Sequence, residues 1–351
     1  MNRGARTVLA MILKEFRQVG RDRRTLAMLI VMPVVLLLVF GYAASFDVTE
    51  IPTMVVGDGA ATRADLLPPV FAVETVAVEA GREAAEAALV AGEAHVAFVI
   101  DGGGATALID GSELFMARTA VQVVTAMSTQ VPGLTQEVLF NPELDTSAVL
   151  VPGLAGLIIV FVGTLVTSMS VVREREAGTL EQLAVMPFKP KDVFIGKIAP
   201  YFLIAAIDIV IILVIGTVVF DVPFNGSVLP LALGAILFLF VALGVGVLIS
   251  SVSENQAQAI QLAIMTLLPQ IILSGIIFPL TSMAAGVRWI GYILPLTYFN
   301  LVAKGVMVRG ASFGDLLIPM GLLGGLGAVI FGAAVVRFAR QLRPARSGAP
   351  T

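Results

Sequence analysis

Cysteine is absent from the 351 residues, histidine occurs once, as His95, and only 13% of positions are charged. The first absence excludes disulfide frameworks, thiol catalysis and zinc-thiolate sites, and the second leaves imidazole-based metal or triad chemistry almost nothing to work with. A charged fraction roughly half that of a soluble globular protein argues against an ordinary soluble enzyme. Basic surface is scarce too. The 22 Lys+Arg stand against 25 Asp+Glu for a net charge of -3, which argues against a nucleic-acid binder. No Gly-x-x-x-x-Gly-Lys-Ser/Thr phosphate loop occurs, since Gly196-Lys197 is followed by Ile198 and lacks the upstream glycine, so ATP phosphates have no such cradle here. What abounds is apolar: 58% of residues are hydrophobic and the mean hydropathy is +0.96. The bilayer is the expected solvent.

Crossing the hydrocarbon core takes about 20 apolar residues in a helix, and six charge-poor runs supply them. The first is Thr25 to Phe46, read as a permanent anchor, and the second lies within Thr146 to Val172. Ile198 to Phe220 is interrupted only by Asp208; Val222 to Ser253 and Asn255 to Val287 are separated by Glu254; Leu316 to Val336 is the sixth. Because basic loops stay in the cytoplasm, the Lys/Arg distribution orients the chain. Sixteen of the 22 fall in the N-terminal arm (Arg3, Arg6, Lys14, Arg17, Arg21, Arg23, Arg24), the loop after span two (Arg173, Arg175, Lys189, Lys191, Lys197) and the tail (Arg337, Arg340, Arg343, Arg346). Both termini are predicted cytoplasmic. The opposite side holds Arg63, Arg82 and Arg118, with Arg288, Lys304 and Arg309 before the last span. Those last three sit awkwardly outside, and leave a five- or seven-span count open.

Residues 47–148, the first external loop, hold fifteen acidic residues against three basic ones, too long and too distinct for a connector. Runs at Thr53 to Val56, Phe71 to Val78, Ala94 to Ile100 and Ala105 to Ile109 predict strands, and Gly81 to Ala91 and Leu114 to Thr129 predict helices. A small external α/β domain follows, its acidic surface either solvated or able to gather cations. His95 is read as a structural residue of one strand, and Ser112 as a position where an engineered cysteine reports the outside. On the other side, Val8, Leu9, Ile12, Phe16 and Val19 recur at helical spacing, predicting an amphipathic helix within 1–24 along the inner leaflet.

The loop 173–198 carries the sharpest local signal, Arg173-Glu174-Arg175-Glu176-Ala177-Gly178-Thr179-Leu180-Glu181-Gln182-Leu183, ending at Met186-Pro187. Gly178 can close the preceding helix in a left-handed conformation, and Thr179 with Gln182 has capping-box spacing for a new short helix. Pro187 and Pro190 then end it. Such a knob suits transmission of force from a partner, with Leu180, Leu183 and Met186 as apolar contacts; a plain cytoplasmic turn is the alternative.

At this point four stretches resemble a known family. They are Asn141-Pro142-Glu143-Leu144 with Val151-Pro152-Gly153-Leu154; Glu174 to Leu183 with Pro187 and Gly196-Lys197; Ser250 to Gln258; and Ser274-Gly275-Ile276-Ile277-Phe278-Pro279 followed by Leu294-Pro295-Leu296-Thr297-Tyr298-Phe299. In this order they resemble the ABC-2 type permeases, specifically the drug-efflux-like subunits with a large external domain after span one, over nearly the whole chain. The resemblance implies a polytopic α-helical plasma (inner) membrane protein of six transmembrane helices, paired with a second copy or close paralogue. It further implies two separate ATP-binding cassette subunits that hold ATP and Mg, with no cofactor on this chain. Glu174, Glu176, Gly178, Thr179, Leu180, Glu181, Leu183 and Pro187 are then the coupling element, Val8 to Val19 the elbow helix, and 281–300 a re-entrant segment gated by Pro279, Pro295 and Tyr298.

Asp208, midway along span three, is costly in lipid unless protonated, paired or facing a wet cavity; it is either a cation or proton site or a helix-to-helix hydrogen-bonding group. Together with Phe161 and Phe202 it is a candidate for the translocation path. An exporter subunit for a hydrophobic or amphipathic drug or lipid is the first reading. A membrane-anchored sensor using the α/β domain, an ion-gradient carrier using Asp208, and an intramembrane protease stand as alternatives; for the last no Gly-x-Ser-Gly motif exists. Nothing in the sequence names the substrate.

Overall fold

A computed structural model describes residues 48–178 and 190–341. The expected arm 1–24, the first span 25–46, the short helix after Gly178 and the end of the tail lie outside the described residues.

From Ile51 onward the chain alternates strands and helices: β1 (Ile51–Gly57), α1 (Ala60–Ala64), β2 (Phe71–Ala77), α2 (Arg82–Ala91), β3 (Val96–Asp101), β4 (Gly104–Asp110), α3 (Leu114–Ser128) and β5 (Leu134–Leu139). They build one sheet of order β2-β1-β3-β4-β5, parallel except for the β3/β4 hairpin. Side chains alternate across a pleated sheet, so each strand feeds two cores. Ile51, Val55, Phe98 and Ile109 pack under α3 with Met116 and Ala120, while Val56, Ala97 and Leu108 pack on the opposite face with Ala85 and Leu89 of α2. The four expected strands and two expected helices are present; β5 and α1 are additions. His95 stands just before β3 rather than within the strand.

Five helices among the described residues are long and apolar enough to cross a membrane. These are α4 (Thr146–Glu176), α5 (Pro190–Val219), α6 (Val228–Val252), α7 (Gln256–Leu273) and α10 (Leu317–Gln341), matching expected spans two to six. Between the last two lie α8 (Ala285–Gly291) and α9 (Pro295–Lys304), the latter continued by a π-turn over Gly305–Arg309. The two arms meet at 74°, so the apolar run that left the span count open folds as a bent pair.

Cap chemistry explains the breaks. Asn255 accepts the Gln258 N–H at 2.9 Å while Gln258 Oε1 accepts the Glu254 N–H at 2.9 Å, a reciprocal arrangement that starts α7 sharply after α6. Pro190 opens α5, where its missing N–H has no helical partner to lose.

Helix packing in lipid relies on close approach and on interhelical hydrogen bonds. The central helix is α6, which packs against α4, α5, α9 and α10. Thr164 of α4 donates its hydroxyl to the Ala242 carbonyl of α6 at 3.1 Å, and Phe238 stacks on Phe299 of α9 at 4.6 Å between ring centroids. Gly156 of α4 lies so near that ring that a Cβ there would come within 2.4 Å of Phe299 Cδ1. By contrast α5 leaves most of its surface uncovered, with Leu203, Val210 and Val218 more than half exposed. Apolar surface of that extent is suited to lipid or another chain.

Candidate functional site

Both ends of α4 are polar, and each is tied to elements far away in sequence. At one end the chain leaves β5 through a strained corner, with Phe140 at φ 68 and Leu144 at φ 53, values that non-glycine residues rarely adopt. Asn141, 6% exposed, holds the corner. Its Nδ2 donates to the Gly111 carbonyl at 3.2 Å and to the Asp145 carbonyl at 3.1 Å, and its Oδ1 accepts the Asp145 N–H at 3.0 Å. The residue immediately before α4 is thereby fastened to the end of β4.

Beside this corner the α/β domain and the bent pair exchange buried charges. Glu113, at the start of α3, places Oε1 2.9 Å from the Lys304 ammonium at the end of α9, with side chains 13% and 2% exposed. Asp110, the last residue of β4, is fully buried. His95 Nδ1 lies 2.9 Å from its Oδ2, the Ser112 N–H donates to Oδ1 at 2.9 Å, and Arg309 Nη1 is 3.9 Å away. Burial pushes the Asp110 carboxyl up, but the His95 hydrogen bond and charge, the Arg309 charge and the Ser112 side chain together outweigh it and hold the group below its ordinary range. Arg309 also reaches the end of α2, where a Cβ on the left-handed Gly92 would lie 3.1 Å from its guanidinium. A cation there suits the helix C-terminus, and the π-turn that delivers Arg309 is a local distortion often found at functional positions.

The expected gate residues belong to the same region. Pro279 precedes a 3-10 turn over Leu280–Ser282, Pro295 opens α9, and Tyr298 donates its hydroxyl to the Tyr292 carbonyl at 2.5 Å; all three are buried. Arg288 donates to the Thr281 carbonyl at 2.5 Å and the Met283 carbonyl at 3.3 Å.

At the other end α4 stops as expected: Gly178 adopts φ 69 and donates its N–H to the Arg175 carbonyl at 3.0 Å. Arg175 donates to the Ser253 carbonyl at 2.8 Å, and Glu176 accepts from the Gln256 N–H at 3.1 Å and from its amide at 2.5 Å. The foot of α4 is therefore bolted to the α6–α7 hairpin, and half-buried Glu174 stands beside these two residues in the last turn. Thr179, Leu180, Glu181, Leu183 and Pro187 lie outside the described residues.

The three candidate path residues serve differently. Phe202 packs on Phe240, which packs on Phe331, both at 5.2 Å between centroids, so its ring helps join α5, α6 and α10. Phe161 is half-buried on α4, and Asp208 is half-buried on α5 with no hydrogen-bond or ion-pair partner among the described residues. Sequence reasoning missed Asp110, Glu113 and Asn141. Only Asn141, inside the Asn-Pro-Glu-Leu stretch, had a local signal.

Comparison with known proteins now bears on these ends. The family described as ABC-2 family transporter protein matches residues 23–336. The chain is similar to the probable multidrug ABC transporter permease YbhS of Escherichia coli K12, 29% identical over 336 residues that cover 87% of this chain and 89% of that protein. It is also similar to the probable multidrug ABC transporter permease YbhR of the same organism, 35% identical over 173 residues covering 49% and 47%. ABC transporter G family member 20 of Dictyostelium discoideum is 28% identical over 179 residues, 51% of this chain and 24% of that protein. No solved structure matches.

Proposed function

The chain belongs to the ABC-2 family of transporter proteins, and we propose that it is the membrane-spanning permease subunit of an exporter whose ATP is hydrolysed on separate ATP-binding cassette subunits. The match over residues 23–336 carries this reading, because it takes in the first predicted span, the α/β domain and every helix through most of α10. The α/β domain stands outside the cell, the foot of α4 in the cytoplasm, and two copies of the ATP-binding subunit, holding ATP and Mg, sit beneath a pair of permeases in the inner membrane. The compound moved is hydrophobic or amphipathic, a drug or a lipid; the word multidrug in the names of the two bacterial relatives supports the drug.

In this mechanism Thr179 to Met186 is the element that ATP-binding subunits push, flanked by Glu174, Glu176 and Gly178 above it and Pro187 below. A partner shifts an inward-open and outward-open equilibrium only by contacting the two states differently. Displacement at Gly178 is shared with the α6–α7 hairpin through Arg175 and Glu176, and α4 carries it to the Asn141 corner and the buried charges around Arg309. Pro279, Pro295 and Tyr298 then belong to the gate on the outer side.

Co-purification with an ATP-binding subunit and ATPase assay across a panel of hydrophobic compounds tests this. Compound-stimulated hydrolysis that is lost in Leu183→Glu and in Thr179→Pro is the expected result. Unchanged assembly and stimulation in both variants would remove the coupling role.

A further inference from the structure

The α/β domain has a hollow of its own, placed by its topology. β1 leads through α1 to β2 on one side, whereas β3 turns through Gly102-Gly103 into β4 on the other. The connections therefore part at the carboxyl ends of two adjacent parallel strands, where open α/β sheets leave a crevice for ligands. A half-open cavity of about 320 Å³ lies there. Its floor is the core face of the sheet, Val55, Phe98 and Ile100, all 6% exposed or less, and its lip is Leu66 at 76% and Val131 at 46%. A single exposed leucine needs no explanation, but here an apolar lip continues inward to an apolar floor. The volume falls at the lower end of the range for small-molecule sites, about 300–1,000 Å³, so it suits one short apolar body.

Charge specifies the head of that body. Arg63, half-buried, is the only charged residue of the lining among the described residues. Its Nη1 donates to the Gly104 carbonyl at 3.3 Å, and no carboxylate among the described residues pairs with it. Residues 47–148 hold fifteen acidic residues, and Arg82 of the same domain engages two of them, Glu86 and Glu137. A guanidinium carries its donors in a planar fork that matches a carboxylate through two parallel hydrogen bonds. At Arg63 most of that fork is unused, at the edge of an otherwise uncharged hollow.

Position specifies the route of entry. Ile51, Val96, Asp110 and Leu139 mark the opposite end of the sheet, which is fastened to the bent pair and to α4. A strand of this length separates the two ends by about 20 Å, so a ligand reaches the hollow from solvent and not sideways from the bilayer.

We propose that this cavity binds a short-chain amphipathic carboxylate, its chain on Val55, Phe98 and Ile100 and its head on the Arg63 fork. The site goes beyond the exporter reading and does not depend on it, since every group it uses belongs to the α/β domain.

Met127 lines the cavity and serves as the reporter. The full chain, labelled with carbon-13 at its methionine methyl groups and held in nanodiscs, is titrated with octanoate, with 1-octanol as the neutral and octylamine as the cationic counterpart; the peak lost in Met127→Leu assigns the signal. Octanoate should shift Met127 saturably, while Met265 of α7 and Met320 of α10 report only unsaturable partition into lipid. Arg63→Gln should weaken octanoate about three- to tenfold, the size of a partly exposed bidentate pair, and leave octanol unchanged. Arg63→Lys keeps the charge, loses the fork and should fall between. Leu66→Ser, at a position the core does not use, should weaken octanoate and octanol alike. Unfolding midpoints of all three variants should match the wild type, so that weaker binding is not loss of fold. Equal octanoate affinity in the wild type and Arg63→Gln overturns the proposal, as does octanol or octylamine binding as tightly as octanoate, or a Met127 shift no more saturable than that of Met265. A Met127 signal that ignores octanoate and shifts with chain concentration assigns the hollow to a second copy and overturns it too.

Discussion

Replacing Lys304 by Met removes an ammonium that lies 2.9 Å from Glu113 Oε1 and is 2% exposed. The methylene stem and its packing are largely kept, so the change isolates the charge. Breaking a buried ion pair from one side costs about 3–5 kcal/mol, chiefly because the other charge stays buried and unpaired. Glu113 retains 13% exposure and borders a half-open cavity, so water relieves part of that penalty and about 2–4 kcal/mol is expected. Glu113→Gln strands the deeper partner and should cost about 3–5 kcal/mol. Lys304→Met/Glu113→Gln leaves no buried charge, and its cost should fall short of the sum of the single changes by at least about 2 kcal/mol. Unfolding of the bicelle-reconstituted chain by dodecyl sulfate titration gives the four free energies. Single variants within about 0.5 kcal/mol of the wild type, or strictly additive costs, would refute the view that this pair fastens the α/β domain to α9.

Three further outcomes follow from the same geometry. Asp110 has its pKa held below the ordinary 3.8, so it contributes stability fully present above that value and lost as pH falls through the depressed native value; a denaturation series from pH 6 downward should show that acid loss blunted in Asp110→Asn. Gly156→Ala should destabilise by about 1–3 kcal/mol because its Cβ meets the Phe299 ring at 2.4 Å, whereas Gly325→Ala on α10, with nothing within 4 Å, should gain about 0.5–1 kcal/mol from helix propensity; reversed signs in the same titration would show that this packing is misread. A cysteine at Leu66, 76% exposed, should react with an impermeant maleimide on intact cells and one at Glu181 should not. Ser112 is fully buried, so the probe position suggested by its place in the sequence is a poor reporter.

Much of the fold was legible because its signals are local. Long charge-free runs marked α4, α5, α6, α7 and α10, alternation marked four strands, and Gly178 marked the end of α4. Legibility fails where a signal depends on elements distant in sequence. Leu134–Leu139 reads Leu-Thr-Gln-Glu-Val-Leu, polar at three of six positions, and becomes β5 only because β4 offers a free parallel edge. Asp110 looked like one more acidic residue of an acidic loop. Its burial is fixed by His95 fifteen residues earlier and Arg309 on another element altogether. For Phe202 the missing cue is the neighbour: an aromatic ring in a membrane helix does not say in sequence what it packs on, here Phe240.

The same dependence resolves the awkward charges. Counted as topogenic signals, Arg288, Lys304 and Arg309 weigh against placing their segment outside. In the structure each cation is occupied locally: Arg288 on the Thr281 and Met283 carbonyls, Lys304 on Glu113, Arg309 against Asp110. Lys304 and Arg309 are nine-tenths or more buried, and their counterions come from the acidic α/β domain. That ties the bent pair and the α/β domain to the same side of the long helices, whichever side it is. The basic excess of the arm, the loop at 173–198 and the tail is then left as the charge signal for orientation, and it supports the proposed place of the α/β domain outside. A rule based on loop charge counts cations as solvated; here three of the six apparent exceptions are structural, and discounting them strengthens the prediction they seemed to weaken.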